Sequence, residues 1–242
     1  MNLRDKRWTA TAVAAAGLLL VGGAGAGALS APPADGGVPH ALMAHALPAP
    51  PPAQDAVYSV EPSIERLAFQ DQMRRLWQDH ITWTRLYIVS AAADLPDKEL
   101  TAQRLLRNQA DIGNAVAPFY GQEAAAELTT LLEAHMLGAA ELLDAARAGD
   151  PEAIQVASAS WYANGDEIAA FLSAANPTWW PLADMQAEMK MHLDVTLQEA
   201  TARLNGDYAS DIAAYDEVEA HIVAFSDLLS RGIIQQFPER FA

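Results

Sequence analysis

Residues 108–118, NQADIGNAVAP, and 164–177, NGDEIAAFLSAANP, decide how the rest of the chain is read. Each opens on an asparagine (Asn108, Asn164), carries an acid at its fourth position (Asp111, Glu167) and follows it with isoleucine (Ile112, Ile168). The helix-forming stretch after each holds a single histidine, His135 or His192, and a Gly-Asp pair begins 14 residues beyond either one, at Gly149 and Gly206. A further 14 residues separate Asp150 from Asn164 and Asp207 from His221. Self-similarity at a fixed period near 57 residues is the mark of a repeated supersecondary unit, here a helical hairpin.

The same spacing extends outward in both directions. One polar residue per helix gives His80, Asn108, His135, Asn164, His192 and His221, with gaps of 28, 27, 29, 28 and 29. Between them lie breaks containing glycine or proline: DLPD at 94–97, APFYGQ at 117–122, AGDP at 148–151, ANPTWWP at 175–181 and LNGDY at 204–208. Asp150 followed by Pro151 reads as an N-cap and first-turn pair. Helices are therefore expected over 65–93, 97–117, 122–147, 151–175, 181–204 and 208–235, with links short enough to make neighbours antiparallel. The expected fold is all-α: an up-and-down antiparallel bundle of about six helices built from duplicated hairpins.

The polar series lies on core stripes. His192 continues the spacing Leu182, Met185, Met189, His192, Thr196; His135 sits in Leu128, Leu132, His135, Ala139, Leu142; His221 sits in Ala214, Val218, His221, Phe225, Leu228. Trp77, His80 and Thr84 behave alike, as do Ala157, Trp161, Asn164 and Ile168. Mid-helix groups of antiparallel neighbours share a height, so the six are expected to form one buried layer.

Upstream, composition changes. MNLRDKR is followed by WTATAVAAAGLLLVGGAGAGALSA, a basic start and an uncharged apolar run ending in small residues, which reads as an export signal cleaved after Ala26 or Ala28. Left uncleaved, residues 1–28 would act as an N-terminal membrane anchor. Residues 29–63 are a Pro/Ala-rich spacer in which His40, Met43 and His45 are either incidental or a weak soft-metal site, and residues 64–242 form the bundle. With no cysteine, neither a lipid anchor nor a disulfide is available, so the core alone must stabilise an exported domain.

The chain carries 15 basic and 31 acidic residues, net −16; removing the leader takes three positive charges and one negative, leaving −18. Such a charge repels phosphate backbones and anionic membrane surfaces and favours cationic partners, arguing against nucleic-acid and peripheral membrane binding.

Four readings of the polar layer and its surroundings remain. As a metal centre, His80, His135, His192 and His221 would supply nitrogen, and Asp111 and Glu167 oxygen, to a divalent transition metal such as zinc, copper or iron, with Asn108 and Asn164 contacting the bound group. Met136, Met185, Met189 and Met191 near two of the histidines would suit copper, although methionines at helical spacing also serve as core filler. No His-x-x-x-His or Glu-x-x-His pair is present, so the case rests on spacing. As a structural device, the layer would only fix helix register. As an enzyme, His80 beside Asp79 or His221 near Asp216 would be a general base, but no nucleophile motif or phosphate loop accompanies them. A small organic ligand between helices would find walls in Trp77, Trp83, Arg85, Trp161, Trp179, Trp180 and Tyr120.

The run LWQDHITWTRLYIVSAAADLPDKELTAQRLLRNQADIGNAVAPFYG (76–121), continued by LLEAH and NGDEIAAFLSAANP, resembles a family of small exported bacterial helical proteins without a characterised function. The resemblance covers about 70–241 and implies an all-helical fold, with no activity, cofactor or catalytic residue. The favoured expectation is a non-enzymatic exported protein binding a metal ion or small ligand at the His/Asn layer.

Overall fold

A computed structural model describes residues 63–242; the leader, and the spacer as far as residue 62 with its HALMAH motif, lie outside the described residues. Five α-helices follow one another: α1 (Ile64–Ala92), α2 (Lys98–Ala148), α3 (Pro151–Ala175), α4 (Leu182–Leu204) and α5 (Tyr208–Gln236), closed by a 3₁₀ turn, Pro238–Phe241. Among the described residues there is no strand, and no helix is long and apolar enough to cross a membrane.

Local chemistry sets the ends. The Ser63 hydroxyl accepts from the Arg66 amide at 3.3 Å, the Asp150 carboxylate from the amides of Glu152 and Ala153 at 3.1 Å each, and Asp207 from the Ser210 amide at 3.1 Å. Each such cap satisfies a helix-start donor that has no partner within the helix. At the end of α2, Gly149 takes the left-handed conformation, φ 68°, that a side chain disfavours.

The count of six separate helices is corrected to five, for a local reason. APFYGQ, expected to be a loop, stays helical apart from Gly121, whose φ of 86° and ψ of 168° are essentially restricted to glycine. That one residue folds α2 back on itself. Lys98 Nζ reaches Asp144 Oδ1 at 3.1 Å, and Gly113 packs against Ala125 and Thr129, so residues 98–120 and 122–148 are antiparallel limbs.

Contacts between successive helices define the remaining order. Arg104 pairs with Asp79 at 3.0 Å between α1 and the first limb of α2, and Trp161 Nε1 donates to the His135 carbonyl at 3.1 Å between the second limb and α3. The Tyr162 hydroxyl donates to Asp194 at 2.6 Å between α3 and α4. α5 then lies antiparallel to α1: Arg74 meets Asp227 at 2.6 Å near one end, and the Ser63 hydroxyl donates to the Phe241 carbonyl at 2.8 Å. α1 also touches α4 across the interior.

Most of the buried apolar side chains, including Met73, Trp77, Leu132, Trp161, Ile168, Trp180, Met185 and Ile222, form one cluster; a second, around Tyr87, Ile88, Leu105 and Met136, fills the end of the bundle beyond the histidines. Leu182, expected in the core stripe of α4, is exposed, because it opens the helix beyond the packed region.

Candidate functional site: a buried imidazole layer

His80 (α1), His135 (second limb of α2), His192 (α4) and His221 (α5) lie together between the two ends of the bundle. Ring centres are 5.7 Å apart for His80 and His192, 6.0 Å for His135 and His192, and 6.0 Å for His192 and His221. His80 and His135 are each 1% exposed and His192 6%. Trp77, Trp161 and Phe225 pack against His80, His135 and His221 at centroid distances of 5.6, 5.2 and 6.1 Å. These aromatics enclose the imidazoles, and Trp77, Trp161 and Trp180 belong to the core.

Burial keeps the rings neutral. Desolvation pushes His80 down to about 3, helped by the nearby His135, and His135 down to about 4; His192 is also lowered, by burial first and then by its three imidazole neighbours. A neutral imidazole has one N–H and one lone pair. One nitrogen of each ring is buried without a hydrogen-bond partner: Nδ1 of His80, Nε2 of His135, Nδ1 of His192 and Nε2 of His221.

The asparagines orient this layer from behind. Asn164 Nδ2 donates to the Leu131 carbonyl at 3.2 Å, which turns its oxygen toward His135 Nδ1 at 2.9 Å. Because that oxygen only accepts, His135 carries its proton on Nδ1 and its lone pair on the unpartnered Nε2. Asn108 is placed alike, donating to the Leu76 carbonyl at 3.0 Å, but its oxygen accepts from Gln109 Nε2 at 3.4 Å. Leu76 and Leu131 stand four residues before His80 and His135. His221 takes the corresponding place on α5: it interacts with the backbone of Glu188, four residues before His192, and its Nδ1 lies 3.7 Å from the Glu188 carboxylate.

Other expected participants lie elsewhere. Asp111 and Glu167 are exposed on the outer faces of their helices. Three residues beyond an inward asparagine is about 60° round the helix, enough to leave a narrow inner stripe. Asp79 pairs with Arg104 rather than with His80, which removes the carboxylate a His80 general base would use. Met191 is exposed, Met136 packs in the second cluster, and Met185 and Met189 are buried in the main core. Trp179 is exposed, and Arg85 is held in an ion-pair network.

Two residues were not singled out from sequence. Gln109 is fully buried and donates to the Leu105 carbonyl at 2.8 Å, and its nearby side chain acts against the burial that lowers His80. Its signal was only adjacency to Asn108. In sequence Glu188 is only a charge one turn before a core histidine.

Among the described residues, no three His, Asp or Glu side chains are already arranged to hold a metal ion. Two imidazoles on one tetrahedral zinc, with metal–nitrogen bonds near 2 Å, hold their ring centres roughly 5 Å apart. The observed spacings are several tenths of an ångström wider. The imidazoles are gathered and neutral, with their ring centres farther apart than on a shared ion.

No family model, curated protein or solved structure matches the chain.

Proposed function

We propose that the protein binds a divalent transition-metal ion, zinc, copper or iron, between His80, His135 and His192. The observation that carries this is His135: Asn164 fixes its proton on Nδ1 and leaves Nε2 buried, unpartnered and within the imidazole cluster. A hydrogen bond on the far nitrogen that fixes tautomer and ring angle is how ligating histidines are normally held. Each unpartnered buried polar atom costs about 1–3 kcal/mol, and such atoms on several adjacent rings favour a shared partner.

The repeat supports the reading. His80 with Asn108, His135 with Asn164 and His192 with His221 are three versions of one hairpin, in which the second helix's polar side chain is set against the backbone four residues before the histidine. Each unit thus delivers one imidazole inward. Asn108 and Asn164 act as orienting groups rather than ligands. Export through a leader at residues 1–28 would put this binding outside the cytoplasm, and the acidic charge favours cations over nucleic acid or anionic membrane as partners.

A second reading has its own support: the ring spacing and the lack of a ready-made ligand set suit a layer that only fixes register. Elemental analysis of untagged protein, followed by titration with zinc, copper and iron(II), separates the two. One equivalent of metal, lost in His135→Leu/His192→Leu, is expected. Absence of stoichiometric metal, with none taken up on addition, would sink the metal reading, and a double variant as stable as the parent would then favour the structural one.

A further inference from the structure

The three hairpins differ at one place. Where the first two have leucine four residues before the inward histidine (Leu76, Leu131), the third has Glu188; where they have asparagine on the partner helix (Asn108, Asn164), it has His221. Both departures face each other, with His221 Nδ1 at 3.7 Å from Glu188 Oε2. They also meet solvent. The Glu188 side chain is 35% exposed and that of His221 9%, whereas His80 and His135 are sealed at 1%.

The far nitrogen of His221, Nε2, is buried without a partner, and its ring stacks on His192 at 6.0 Å with an interplanar angle of 21°. A line of donor groups thus runs from a surface carboxylate through His221 to His192 and on to His80 and His135. The equivalent positions on the other hairpins offer nothing comparable. Leu76 and Leu131 have no donor side chain, and both polar atoms of Asn164 are already engaged.

We propose that Glu188 and His221 form the entrance through which a metal ion reaches the imidazoles. The proposal rests on the metal-binding reading above. Moving a divalent ion into an apolar bundle without ligands would forfeit its hydration at a prohibitive cost, so each step inward needs a donor within reach. Glu188 draws the cation by charge and provides the first oxygen; His221 accepts it and hands it to His192. No covalent bond changes, and the ion exchanges only water and side-chain ligands.

Stopped-flow mixing of the full-length metal-free protein with cobalt(II), followed through the visible absorption of the bound ion, tests the step. Glu188→Gln and His221→Asn, the latter restoring the asparagine of the other hairpins, should each slow uptake by roughly tenfold or more, the scale on which a local charge guides association. One equivalent should still bind, with the wild-type final spectrum. Uptake at the wild-type rate in both variants would overturn the entrance while leaving the metal site standing. An altered final spectrum in His221→Asn would overturn it too, by making His221 a permanent ligand. If wild-type protein takes up neither cobalt nor zinc, copper or iron(II), the metal reading falls and the entrance with it, an outcome visible before any variant is compared.

Discussion

His135 Nδ1 donates to the side-chain oxygen of Asn164 at 2.9 Å, while the Asn164 amide nitrogen is spent on the Leu131 carbonyl at 3.2 Å. One asparagine thus bridges two helices and sets which nitrogen of a buried ring carries its proton. Asn164→Ala should lower stability by about 1–3 kcal/mol, because the His135 N–H loses its partner inside the bundle. In nitrogen-15 spectra the His135 ring should shift from a single tautomer to a mixture; an unchanged single tautomer in the variant would contradict this role.

Stability should fall as solution turns acid. His80 and His135, at about 3 and about 4 when folded, lie below the ordinary histidine value of 6.5, so the unfolded chain binds protons that the folded chain refuses. Their contribution is complete above pH 6.5 and is lost as pH falls toward those folded values, each costing roughly 1 kcal/mol or more per pH unit within the window. Urea midpoints measured from pH 7 to pH 4.5 should drop steeply, and His135→Leu/His192→Leu should flatten the drop. A level profile in the wild type would refute it.

A buried charge network joins α1, α4 and α5. Arg85 donates to Glu199 at 2.7 Å and to Asp211 at 2.7 Å, and Arg203 reaches Asp211 at 3.3 Å; both carboxylates are buried. Arg85→Met should cost about 3–5 kcal/mol, since it leaves carboxylates without their cation. Glu199→Gln should behave differently with pH. Burial pushes Glu199 up to about 7 against the pull of Arg85, so its contribution is full below 4.5 and lost as pH rises through 7. The variant should therefore gain on the wild type between pH 5 and pH 8, as read from denaturation midpoints.

The two limbs of α2 touch backbone to side chain at Gly113. A methyl group there would overlap the Thr129 hydroxyl and stand 2.7 Å from the Ala125 carbonyl oxygen. Gly113→Ala should destabilise by about 1–3 kcal/mol, and adding Thr129→Ala should recover only part, because the carbonyl cannot swing away. Full recovery in calorimetry would show that the limbs separate easily.

What sequence reading reached depends on range. Caps such as Asp150, the breaks, and the histidine stripes are local patterns of one helix, and the structure places His80, His135, His192 and His221 together inside the bundle. Asp111 and Glu167 were misplaced because a 60° step separates the inner face from solvent, and spacing along the chain does not resolve it. The Arg85 network joins residues more than 100 positions apart, and no period connects them. Gly121 looked like one residue of an ordinary loop, when it alone makes the turn.

The hydrogen bond from Ser63 to the Phe241 carbonyl ties the first described turn to the last. Space therefore assigns no helix the role of first or last, and the order of synthesis is one of several that would trace the same circuit. A permuted chain opened at Gly149, with a short bridge from 242 back to 63, retains every helix neighbour and all four imidazoles. It places its new ends in an exposed turn, away from the histidines.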